Sequence, residues 1–164
     1  MSTAPARLIA TDPALLQALA GATFADSFRI SLSEQQSRLS ALALTRQMFR
    51  RAPSWISQLL ALRNRVVAVF GLKQASMHID GEAPSVAGFP IVQQSDEQVQ
   101  LGFDDKHLDF RIWVRREPGT EELSAQLTVT TVVRTNQLLG RAYLGVIKPF
   151  HRRIVPAMLN QLRS

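Results

Sequence analysis

Asp104, Asp105, His107, Asp109 and Arg111 bring carboxylates, an imidazole and a guanidinium into one short stretch of chain. From Asp105 onward they recur at every second position, and on a β-strand residues two apart share a face. Such a row holds the groups that acid–base work or an oxygen-rich cation site would need. The residues between them argue against an enclosed site. Leu108, Phe110 and Ile112 claim the apolar side of the same strand, so the polar row is expected on the convex, solvated side. Cross-strand ion pairs and a hairpin turn then account for it, with docking of a protein or an anion as its functional use.

Other chemistries lack their residues. The chain has no Cys, which excludes disulfides, thiolate metal sites and cysteine nucleophiles. There is no Gly-rich dinucleotide or phosphate loop, no Gly-x-Ser-x-Gly and no His-Glu-x-x-His. His78 and His151 have no ligand-spaced neighbours and read as surface residues. No cofactor, metal site or catalytic residue is assigned.

These groups need a scaffold, and the composition supplies one. With 164 residues, 46 % of them hydrophobic and 20 % charged, the chain is expected to form a single domain over 1–164, in which 1–24 is an N-terminal extension with a short helix. The start has no continuous apolar run of the kind a secretory signal needs, and the nearly apolar stretch Val66–Leu72 is far below the roughly 18 residues of a membrane span. A cytoplasmic protein is expected, at most resting on a membrane surface. Lys and Arg total 19 against 13 Asp and Glu, a net charge of +6 that favours acidic partners. The basic residues form no long run, so nucleic acid is not the expected partner.

Asp12 followed by Pro13 starts a short helix that Gly21 can end. Ser27 to Leu32 alternates with period two and directs Phe28, Ile30 and Leu32 inward. Ser33 with Gln36 forms a capping-box pattern, and helical spacing then continues to Arg50. Pro53 starts a second helix whose stripe of Trp55, Leu59, Leu62, Val66 and Phe70 ends at Gly71. From Lys73 to Pro90 the signals suggest a loop with one short strand. Val99 to Phe103 and Leu108 to Val114 then alternate as a hairpin, and Leu123 to Arg134 forms a further strand after the turn at Pro118-Gly119. From Gln137 the period is helical again, with Leu139, Tyr143, Val146, Phe150, Ile154 and Ala157 on one side. Pro149 and Pro156 should kink or interrupt that helix.

The order predicts an α+β fold: a curved antiparallel sheet packed on a long C-terminal helix, with two helices inserted after the first strand. This order resembles that of the helix-grip, Bet v 1-like proteins, many of which bind apolar molecules. A cavity between sheet and helix would be lined by Phe103, Leu108, Phe110, Ile112 and Phe150, with Thr131 and Tyr143 as polar handles. On the side opposite its apolar face, Arg141, Lys148, Arg152 and Arg163 form a basic stripe on the last helix, a surface for a protein partner or anionic headgroups. Val155 and Leu159 fall on the side of Arg152 and suggest a dimer or partner contact.

Three segments carry a closer likeness: Arg63 to Lys73, Leu101 to Arg111, and Leu139 to Leu159 with its Pro149-Phe150-His151-Arg152-Arg153 core. Over roughly residues 25 to 162 the chain resembles the bacterial domain-of-unknown-function family 2867. The resemblance implies a helix-grip-like fold and no particular chemistry. In some bacterial proteins a similar domain follows a short-chain-dehydrogenase-like domain, which would make such an enzyme a partner in trans. Sequence alone therefore leads to three readings: binding of an apolar or amphipathic small molecule, a non-enzymatic interaction module acting as a dimer or partner, or a cyclase- or dehydratase-like enzyme using the same cavity.

Overall fold

The computed structural model describes residues 4–58, 84–104 and 106–163. The element order is β1 (Arg7–Ile9), α1 (Pro13–Gln17), β2 (Phe24–Ser31), α2 (Glu34–Ser37), α3 (Ala41–Arg50), β3 (Ser85–Val86), β4 (Phe89–Gln94), β5 (Gln98–Asp104), β6 (Leu108–Glu117), β7 (Gln126–Thr135) and the C-terminal helix (Leu138–Asn160). A 3-10 turn over Gln161–Arg163 follows that helix. The strands form one seven-stranded sheet in the order β1-β2-β7-β6-β5-β4-β3, antiparallel at every pairing. The expected α+β class, with a sheet against a long C-terminal helix, is the one observed.

Local chemistry explains the helix starts. The Asp12 carboxylate accepts from the Ala14 backbone N–H at 2.9 Å, with Pro13 at the first helical position. Ser33 and Gln36 form the reciprocal capping box. The single helix expected over 33–50 is instead two, because Ser40 is a second N-cap whose hydroxyl accepts from the Ala43 N–H at 3.2 Å and restarts the helix. Residues 54–58 are helical, as Pro53 implied. The rest of that helix, including Leu59, Leu62, Val66, Phe70 and Gly71, lies outside the described residues, as do His78 and most of the expected loop.

The core lies on the inner face of the sheet. Phe28, Ile30, Val114, Leu127 and Val129 from the strands meet Leu44 and Met48 of α3 and Val155, Met158, Leu159 and Leu162 of the C-terminal segment. Next to it Val99 and Leu101 of β5 pack with Ala41 and Val86. Each such side chain contributes about 1.5–3 kcal/mol by leaving water. The outer face is covered as well: Leu19, Leu15 and Ala22 of the N-terminal segment lie on Trp113 and Val132.

The C-terminal helix departs from its expected apolar face. It is helical throughout Leu138–Asn160, uninterrupted at Pro149 or Pro156. The carbonyls left without a donor belong to Gly145 and Arg152, both exposed, where water can satisfy them. Its buried residues are Gly140, Val155, Met158 and Leu159, whereas Val146 and Phe150 of the expected apolar face are exposed. Only its C-terminal half lies over the main core, so the pattern summed along its whole length pointed to a face that no single surface covers. Val155 and Leu159, read as a partner contact, are core residues.

Candidate functional site

On the inner face the register sets two neighbouring rows. Phe24, Val133, Phe110 and Phe103 follow one another across β2, β7, β6 and β5, and Asp26, Thr131, Ile112 and Leu101 make the next row. Neighbouring strands are about 4.8 Å apart, so β2 and β6 face the same space at roughly 10 Å. Phe103, Leu108, Phe110 and Ile112 remain half-buried. Four rings form a chain: Phe49 tilts against Phe89 at 5.8 Å between centroids, and Phe89 to Phe110 at 5.7 Å and Phe110 to Phe103 at 4.6 Å are T-shaped contacts. Of the polar handles, Thr131 is buried and Tyr143 half-buried. Phe150 departs from its expected place in the cavity: it is 42 % exposed on the helix and encloses nothing.

At the β2 end of these rows lies a pair that the sequence reading did not identify. The Asp26 carboxylate is buried, and its Oδ2 lies 3.1 Å from Nδ1 of His151. Its Oδ1, also buried, has no hydrogen-bond partner. An ionised carboxylate only accepts, so against it Nδ1 is the donor, and in the neutral imidazole that leaves the lone pair on Nε2. Nε2 makes no hydrogen bond among the described residues, and the His151 side chain keeps 20 % of its surface exposed. The Phe24 ring supports the imidazole edge-on at 5.7 Å, and Lys148 Nζ lies 5.2 Å from the centroid of the same ring. Reading His151 as a surface histidine is thus corrected. The signal was present: Asp26 shares the inward phase of Phe24, Phe28 and Ile30, which makes it a polar residue on a core face.

The polar row of β6 is split by its surroundings. Asp109 is buried instead of solvated, because the N-terminal segment covers the outer face, and its carboxylate accepts from Arg134 Nε at 2.9 Å. Arg134 also donates to the Ala20 carbonyl at 3.3 Å, tying the pair to the covering segment. Asp109 therefore holds the fold together and is withdrawn as a surface interaction residue. Arg111 donates to Asp104 at 2.7 Å, and this hydrogen bond holds the Asp104 carboxyl below its ordinary value. His107 Nδ1 pairs with Gln137 Oε1 at 2.8 Å. Asp105 lies outside the described residues. Arg141 and Arg152 are exposed and Lys148 is half-buried.

The outer face also holds a cavity of about 130 Å³, lined by Asp12, Ser27, Arg29, Trp113, Arg115 and Glu117 among others. Its polar groups are occupied with one another. Arg29 pairs with Glu117 at 3.1 Å, Ser27 joins Thr130 at 2.8 Å and Thr11 at 2.9 Å, and Arg115 faces Asp12 at 3.6 Å. Ligand pockets usually exceed about 300 Å³, so this one is a packing feature. Among the described residues no group of three His, Cys, Asp or Glu side chains could hold a metal ion, and no helix is long and apolar enough to cross a membrane.

A family model described as "Protein of unknown function (DUF2867)" matches residues 18–158. No curated protein and no solved structure matches the chain.

Proposed function

The chain belongs to the DUF2867 family of proteins of unknown function, so its chemistry is argued from its own residues, and we propose that it binds a small amphipathic molecule on the inner face of the sheet. The apolar part lies along Phe103, Leu108, Phe110 and Ile112, and the polar end meets His151, oriented from behind by Asp26. The observation that carries this reading is the pair of buried Asp26 and half-buried His151 with Oδ1 and Nε2 both unused, on the same sheet face as half-covered rings. A buried carboxylate with one partner costs folding free energy, and such groups concentrate at binding and catalytic sites. A helix-grip-like arrangement and a cytoplasmic location accord with this proposal.

Native mass spectrometry of the purified protein tests it. A bound small molecule, or uptake of 1-anilinonaphthalene-8-sulfonate that Phe110→Glu abolishes in a still folded protein, is the expected result. A ligand-free protein that takes up no probe would overturn the reading.

A second reading uses the same pair. An imidazole whose Nδ1–H is held by a carboxylate presents Nε2 as a general base, the arrangement that a cyclase- or dehydratase-like enzyme would use for proton transfer from the bound molecule. Turnover of a co-purified ligand that ceases in His151→Gln, with binding retained, would favour it.

A further inference from the structure

The outer side of the C-terminal helix carries a surface that ligand binding does not explain. Leu138, Ala142, Val146 and Phe150 follow at four-residue intervals, and all are exposed, Leu138 at 79 % and Val146 at 64 %. Steps of four trace a ridge on an α-helix, and from Leu138 to Phe150 this ridge runs about 18 Å. Gly145 and Pro149, beside it, are exposed as well, and a Cβ on Gly145 would meet nothing within 4 Å. Arg153 falls within this ridge at 100° per residue, and Arg141 and Arg152 flank its Leu138 edge; all three are exposed, and none of them forms an ion pair among the described residues. Between Leu138 and Asn160 the sequence contains no Asp or Glu.

We propose that this face docks on an anionic lipid surface, with Leu138, Val146 and Phe150 entering the acyl boundary and the arginines at the level of the phosphates. A ridge of apolar side chains with one cation inside it and two along its edge satisfies both layers of a lipid interface at once. An acidic protein surface would satisfy the arginines and leave the ridge in water. A second copy of the chain fits less well still: pairing this face with itself would bring Arg141, Arg152 and Arg153 against their own counterparts with no carboxylate on either helix to offset them. Because the ridge residues contribute nothing to the core, replacing them tests docking without unfolding the protein.

Co-sedimentation of the full chain with vesicles provides the test. The protein should partition into mixed phosphatidylcholine and phosphatidylglycerol vesicles at least about tenfold better than into phosphatidylcholine alone, and raised salt should release it. Each of Arg141→Gln and Arg152→Gln should weaken partition by about fivefold. Val146→Asp should lose about tenfold or more with the midpoint of thermal unfolding unchanged. Equal partition into both vesicle types, no partition into either, or full partition of Val146→Asp would overturn the proposal. So would light scattering that shows a dimer which Val146→Asp dissociates, because the face would then belong to a second copy.

Discussion

The backbone of Gly140 rests directly on the carbonyl group of His107, so that a Cβ at residue 140 would overlap the oxygen. The same carbonyl accepts from the Asn136 N–H at 2.9 Å. The start of the C-terminal helix is therefore fixed to the turn between β5 and β6, and close approach is what requires glycine there. Gly140→Ala is expected to lower stability by roughly 1–3 kcal/mol through overpacking, although alanine favours a helix interior by about 1 kcal/mol. Urea unfolding measures the difference, and a stabilised variant would contradict the contact.

Removing the imidazole leaves the buried Asp26 carboxylate with neither oxygen paired. His151→Leu should destabilise by about 3 kcal/mol, in the range for a broken buried pair. Asp26→Asn should cost less, and the double variant should be more stable than His151→Leu alone. This non-additivity is the signature of direct coupling, read from a double-mutant cycle. Purely additive effects would show that the pair contributes no shared energy.

The N-terminal segment is bound to the outer face by its apolar side chains. Leu19, Trp113 and Val132 are all buried there. Leu19→Ala should cost about 2–4 kcal/mol and, in a Trp55→Phe background, shift the emission of Trp113 to the red. Unchanged emission with unchanged stability would mean that the segment does not cover Trp113 in solution.

Asp104 should show the lowered acidity of a hydrogen-bonded carboxylate, with Arg111 as the main cause and the charge of Arg134 as a smaller one. A carboxyl group lowered in the folded state adds stability above its unfolded value and loses it as pH falls through the folded one. The side chain is mostly exposed, so the effect should be small. Arg111→Gln should raise the Asp104 midpoint in an NMR titration and flatten the fall of stability in acid. An unmoved midpoint would assign the shift to another group.

Much of the scaffold was legible because its signals are local. The inward phase of Phe28 and Ile30, the alternation from Leu108 to Val114 and the caps at Asp12 and Ser33 depend on neighbours a few residues away. The break before Ala41 was harder to read, since Ser40 competes with a helical pattern that runs on past it. The candidate site was the least legible. Asp26 and His151 lie 125 positions apart in the chain, and neither has a nearby residue that marks it for the other.

The sequence by itself determined the class of fold, the faces of the central strands and the basic, carboxylate-free character of the last helix. Each is a property of residue order and charge within one element. Tertiary structure alone decided what covers each face. The N-terminal segment closes over Trp113 and ties down Arg134, so a row that reads as solvated contains a buried carboxylate, Asp109, in an ion pair. The C-terminal helix lays only its second half on the main core, which buries Leu159 and leaves Val146 in water. Periodicity reports that a side of an element is apolar or polar, whereas enclosure depends on another part of the chain arriving there, and that is settled by packing across the whole sheet.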